Sequence, residues 1–188
     1  MRLPDFFIAG APKCGTTSLA AWLREHPQVY LSPLKEPHFF NTDQSYRKCR
    51  HWRAYRAQFA QATPGHRAVG EASVWYLHSR VAVAEILKVQ PQARFVVCLR
   101  NPMAMTQSLH AHLLHGGREH EADLRAAWDA APARRRGQGL RRLASEPSHL
   151  VYPDAAALGT QLERLYAQVP AARIHPVLLD DLARDRGG

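Results

Sequence analysis

The stretch "FFIAGAPKCGTTSLAAWL", residues 6–23, constrains the fold more than any other. Its apolar start reads as a short buried strand over 6–9, and "TTSLAAWLRE", 16–25, places Leu19, Trp22 and Leu23 at helical spacing. The turn between them carries Gly10 and Gly15. A strand that passes through a glycine turn straight into a helix is the opening unit of an α/β sheet, and it aims backbone N–H groups and the positive end of the helix at one anion. Two glycines five apart are also the frame of a phosphate-cradling P-loop, in which the lysine follows the second glycine. Here Lys13 lies between them, which predicts a different phosphate chemistry. A lysine within the turn is placed to meet a bridging oxygen and neutralise a departing group, with Thr16 and Thr17 adding hydroxyl donors.

The rest of the chain repeats the alternation. "QVYL", 28–31, reads as a second strand, and the two prolines of "SPLKEPHFFNTD" argue for an irregular loop after it. A helix is expected between Tyr46 and Ala62, a brief strand ending near Gly70, and another helix over 78–89. "ARFVVCLR", 93–100, is the clearest strand, an almost continuous apolar run of the kind buried on both faces of a parallel sheet. Pro102 opens a helix to about His115, since proline is tolerated in a first helical turn. "DAAALGTQLERLYAQVP" reads as one amphipathic helix and "ARIHPVLLDDL" as a last strand leading into a further element. The expected architecture is α/β: a three-layer sandwich with a central, mainly parallel sheet, in a single domain over 1–188.

Ligands of open α/β sheets bind beyond the carboxyl ends of the strands, so the loops there are informative. Arg100 ends the strongest strand and Ser108 lies about two turns into the following helix. A guanidinium with a nearby hydroxyl suits a second phosphate. In "LKEPHFF", Glu36 sits between Lys35 and His38, where a carboxylate can take a proton from an attacking hydroxyl or amine. Burial beside Phe39 and Phe40 would raise its basicity and Lys35 would lower it, and the sequence leaves that balance open.

Composition narrows the classes. The formal charge of +9, carried mostly by arginine, favours polyanionic or phosphorylated ligands without separating nucleic acid from sulfated sugar or nucleotide. The arginine-rich run "ARRRGQGLRR", 133–142, reads as a solvated loop, and no basic motif interleaved with aromatics supports nucleic-acid binding. No stretch approaches the roughly 18 to 20 apolar residues of a membrane span, so no integral membrane association is expected. Cys14, Cys49 and Cys98 have neither disulfide-framework nor zinc spacing, which fits a reducing, cytoplasmic setting.

Taken together, the loops resemble those of the sulfotransferases that use 3′-phosphoadenosine 5′-phosphosulfate. "APKCGTTSL", 11–19, is similar to the family's 5′-phosphosulfate loop, which implies donor binding by Pro12, Lys13, Cys14, Gly15, Thr16, Thr17 and Ser18. "RNPMAMTQS", 100–108, resembles the 3′-phosphate motif, with Arg100 and Ser108 in its two key places. "KEPHFF", 35–40, and "GEASVWYL", 70–77, are similar to the branch that includes the heparan sulfate sulfotransferases and bacterial relatives. The resemblance implies Glu36 as catalytic base, Lys13 as the group that stabilises the leaving bisphosphate, His38 as an orienting residue, and no metal. The acceptor it implies is a small molecule or a saccharide. Ala72 and Val74 stand where the family often has lysine and proline, and Met105 where arginine is frequent. Relatives also continue beyond the position of Gly188 with a basic, glycine-containing segment that closes the nucleotide site, and the expectation is that this segment is missing. Two other readings remain. A phosphoryl-transferring P-loop kinase would want Gly-Lys-[Ser/Thr] at the second glycine and an acidic metal ligand after another strand, where this chain has Thr16 and Arg100. A binder of bisphosphate nucleotides or polyanions without turnover is the non-enzymatic alternative.

Overall fold

A computed structural model of the chain describes residues 2–140 and 146–184. The opening unit forms as the sequence predicts: β1 (Phe6–Gly10) leads through the glycine turn into α1 (Thr16–Glu25). There follow β2 (Val29–Leu31), α2 (Trp52–Ala57), β3 (Ala68–Ala72), α3 (Ala82–Val89), β4 (Arg94–Leu99) and α4 (Pro102–His115). Short helices α5 (Leu124–Asp129), α6 (Ala131–Arg135) and α7 (Tyr152–Ala156) precede α8 (Leu158–Tyr166), β5 (Ile174–Leu178) and α9 (Leu179–Arg184).

The five strands make one parallel sheet in the order β2-β3-β1-β4-β5, flanked by helices as an α/β sandwich. Phe6 pairs with Gly70 on one side and Arg94 on the other, so β1 is central and as apolar as a strand covered on both faces must be. Gly70 is required by that packing: a Cβ there would lie 2.2 Å from the Phe6 ring. At the edge, β5 accommodates Pro176, whose missing N–H is tolerated on an outer strand. Because every strand points the same way, the loops after β1, β2, β3 and β4 all emerge at one rim.

Two apolar clusters hold the molecule together. The main one surrounds the sheet and includes Phe7, Ile8, Phe95 and Val97, with the Phe7 and Phe95 rings stacked 5.8 Å apart. A second lies beneath α4, α5 and α7 and joins Val74, Trp75, Leu109, Leu113, Leu150 and Tyr152. It forms one wall of the site described below.

Several elements depart from expectation for local reasons. The helix expected over 46–62 is reduced to α2, because the residues before it buttress the loop after β2: Lys48 and Cys49 both donate their N–H groups to the Pro37 carbonyl, and Arg47 donates to that of Phe39. The helix expected from 78 begins at Ala82, where the Ser79 hydroxyl accepts the N–H groups of Val81 and Ala82. The single helix expected over 154–170 is broken at Ala157 into α7 and α8. Trp22, one of the apolar positions at helical spacing, is 47 % exposed, since α1 turns Thr16 and Ala20 inward.

The arginine-rich run brings the largest correction. Its first part is helical in α6, and Arg134 is buried with the carboxylate of Glu119, bonding it at 2.7 and 3.0 Å. Residues 141 and 142 of that run lie outside the described part of the chain.

Candidate active site

A cavity of about 430 Å³ opens at the rim where the loops emerge. One side is the turn between β1 and α1. Gly15 occupies the helix N-cap with φ 84°, which a residue with a side chain adopts only at a cost, and therefore supplies no capping side chain. The first turn of α1 also lacks an acidic residue. The N–H groups of Gly15, Thr16, Thr17 and Ser18 accordingly have no acceptor among the described residues. Four adjacent free donors at the positive end of a helix form an anion cradle.

Lys13 lines the cavity and is itself in the left-handed region at φ 61°, as are Glu36 at 64° and His38 at 51°. Non-glycine residues rarely adopt this conformation, and its clustering at one rim marks a segment held by its surroundings for a purpose other than stability. Pro12, Gly15, Thr16 and Thr17 also face the cavity, and Ser18 is exposed beside it. Cys14 does not line the cavity: its thiol is buried against the Pro12 carbonyl at 3.4 Å, and burial pushes it up to about 12, out of the range of a nucleophile.

Glu36 faces the same cavity from the loop after β2. Its N–H donates to the Ala72 carbonyl at the end of β3 at 2.9 Å. Lys35 Nζ is 2.9 Å from Oε1 and His38 Nε2 is 3.3 Å from Oε2. Burial alone would raise this carboxyl, but the His38 hydrogen bond and the Lys35 charge outweigh it and hold it at about 2. That resolves the balance the sequence left open: Glu36 is ionised. His38 is buried, and desolvation pulls its imidazole below the ordinary histidine range, so the neutral ring donates from Nε2. It touches Glu36 without lining the cavity.

Arg100 is half-buried and reaches the Lys13 carbonyl at 3.5 Å, which places its guanidinium against the anion turn. Ser108 lies one helical turn before His112, which lines the cavity. Neither Arg100 nor Ser108 lines it, so the two sit next to the cavity and not within it. Sequence reasoning missed the opposite wall: Tyr46, Trp75, Leu109, His112, Leu113 and Arg118. Of these, His112 lies four residues after Ser108, and Leu109 and Leu113 lie four apart, all at helical spacing within α4.

A profile of the Sulfotransferase family matches residues 4–187. The chain belongs to the sulfotransferase family. The chain superimposes on a sulfotransferase from Alicyclobacillus acidocaldarius with a TM-score of 0.85 and 29% identity, covering 98% of this chain and 76% of that one. A human heparan sulfate glucosamine 3-O-sulfotransferase 6 is 33% identical over 113 residues, 60% of this chain and 31% of the relative. A membrane-associated sulfotransferase from Dictyostelium discoideum, kil1, is 27% identical over 106 residues, 56% of this chain and 22% of that protein. The aligned part therefore spans less than a third of these two relatives. Among the described residues, no helix is long and apolar enough to cross a membrane.

Proposed function

We propose that this member of the family moves a sulfuryl group from 3′-phosphoadenosine 5′-phosphosulfate to a hydroxyl or amine of a small-molecule or saccharide acceptor. The observation that carries the reading is the meeting, in one cavity, of a turn whose four N–H groups have no acceptor among the described residues, a lysine within that turn, and an ionised carboxylate. The donor fits this set, because its 5′-phosphosulfate is an anion of the size the turn can cradle and its 3′-phosphate suits Arg100 and Ser108 beside it.

The donor supplies sulfur already activated by an anhydride bond to phosphate. Glu36 takes the proton of the acceptor as the acceptor's oxygen or nitrogen bonds to sulfur and the sulfur–oxygen bond to the phosphate breaks. Lys13 and the N–H groups of the turn hold the negative charge that passes to the leaving bisphosphate. His38 orients Glu36 through Nε2. Saccharide acceptors draw support from the relatives named for heparan sulfate, and Arg118 adds a cation to the acceptor-facing wall.

Thermal stabilisation by adenosine 3′,5′-bisphosphate but not by ATP with magnesium, together with transfer of radiolabelled sulfate, tests the reading. Lys13→Ala is expected to abolish both. Glu36→Gln is expected to keep nucleotide stabilisation while lowering turnover by about 100-fold or more. Full turnover in the glutamine variant removes Glu36 as the base, and equal stabilisation by both nucleotides defeats the donor assignment.

A further inference from the structure

Beneath the loop that carries Glu36 lies a second carboxyl that the reaction above does not use. Glu71, on β3, is wholly buried, and neither of its oxygens has a hydrogen-bond partner among the described residues. The Tyr55 hydroxyl, also buried, is without one too. Tyr55, Tyr76 and Ser73 nevertheless lie close enough to act on the Glu71 carboxyl.

Two of these neighbours hold the loop directly. The Tyr76 oxygen accepts the N–H groups of Phe39 at 3.0 Å and Phe40 at 3.3 Å, and the Ser73 hydroxyl accepts the N–H of His38 at 3.0 Å. A hydroxyl that accepts twice has used its lone pairs, and its own O–H then needs an acceptor. Leaving buried polar groups unpaired is costly, so the loop is stable only if the O–H of Tyr76 is satisfied from below. Ser73 and Glu71 are the side chains in reach; the Ser73 hydroxyl already accepts from His38, whereas both oxygens of Glu71 are free to accept.

We infer that Glu71 is a positioning residue for the reaction: by fixing the phenol of Tyr76, and with it the N–H groups of Phe39 and Phe40, it sets the left-handed turns that present Glu36 to the cavity and hold His38 against it. This rests on the function proposed above. The carboxyl does this in its protonated form, because burial pushes it up to about 8 and no cation is among the groups that act on it. The other ionisable groups it faces are Tyr55 of α2, Tyr76 after β3 and Cys49 before α2, all raised by burial and all neutral. Ionisation of Glu71 places an uncompensated charge under the loop, so turnover should fall as pH rises through about 8.

Steady-state kinetics, nucleotide binding and hydrogen exchange on the folded full chain test this. Tyr76→Phe, and Glu71→Ala where it folds, are expected to lower kcat by about 100-fold, the effect of misplacing a reacting group by about an ångström, with the dissociation constant for adenosine 3′,5′-bisphosphate unchanged. Glu71→Gln, which cannot ionise, should restore most of kcat near pH 7 and lose the fall in kcat seen in the parent above pH 8. The amides of Phe39 and Phe40 should exchange at least about tenfold faster in Tyr76→Phe, a readout that needs no turnover. Unchanged kcat in Tyr76→Phe, an alkaline fall that persists in Glu71→Gln, or unchanged exchange of those amides overturns the inference. Absence of sulfuryl transfer by the parent, with those amides protected through Tyr76, would instead defeat the proposed function.

Discussion

Replacing Arg134 by methionine probes how the wall of the cavity is held. Both partners of the Arg134–Glu119 pair are out of water, with side chains 2% and 0% exposed. Glu119 also accepts from the Tyr152 hydroxyl at 2.9 Å and from the N–H groups of His120 and Glu121 at 2.8 and 2.9 Å. Arg134 gives a further bond to the Leu150 carbonyl at 2.9 Å. Burial pushes the Glu119 carboxyl up, but Arg134 and these neutral donors overcome it and hold it at about 2. Methionine keeps the stem's packing and strips the charge, leaving a buried carboxylate with neutral donors alone. Breaking a pair of this kind costs about 3 to 5 kcal/mol.

The pH dependence gives a second, independent magnitude. A carboxyl held at about 2 in the folded chain against its ordinary 4.5 stabilises the fold fully above the higher value, and that contribution is lost as pH falls through the lower one. The shift corresponds to about 3 kcal/mol for Arg134 and the neutral donors together, net of the burial that opposes them. Urea denaturation of the parent, Arg134→Met, Glu119→Gln and the double variant is the assay. At pH 7 the arginine variant should lose about 3 kcal/mol, the double variant should recover part of it, and the gap between parent and arginine variant should narrow below about pH 4. A loss under about 1 kcal/mol, or a gap that does not change with pH, refutes the reasoning.

Two further outcomes follow from the site and the sheet. Because Glu36 is held at about 2 by His38 and Lys35, kcat/KM should be flat from about pH 7 down to pH 4.5, and an acid limb near pH 5 that disappears in Glu36→Gln would contradict that protonation state. Gly70→Ala should destabilise the chain by about 1 to 3 kcal/mol in the same denaturation assay, because its Cβ must displace the Phe6 ring, and an unchanged midpoint would show that the ring moves freely.

What could be read from the sequence was what is local. The strand, turn and helix of residues 6–25 follow from apolar runs, glycines and the absence of a capping side chain, and each acts within a few residues. The position of Glu36 was legible, while its protonation state was not, since that depends on the turn at His38 bringing Nε2 back to the carboxylate. Arg134 was misread because its partner, Glu119, is 15 residues away and carries no periodic signal. The wall formed by Trp75, Leu113 and Arg118 escaped for the same reason: it exists only once the second apolar cluster has packed. Glu71 did leave a trace, an acidic residue inside the apolar run "AVGEA", but an acid in a strand says nothing about its neighbours until Tyr55 and Tyr76 are placed around it.

Glu36 and Glu71 are joined through one backbone contact, the N–H of Glu36 on the carbonyl of Ala72, the residue after Glu71. Their environments push them in opposite directions. Lys35 and His38 keep the upper carboxyl charged, and burial without a cation keeps the lower one protonated. An ionised Glu71 would put a charge without a cation beneath a loop that already holds Glu36 and His38 in the left-handed region. The two protonation states give the loop a neutral support and a charged tip, so one short segment is both held from below and ionised at neutral pH.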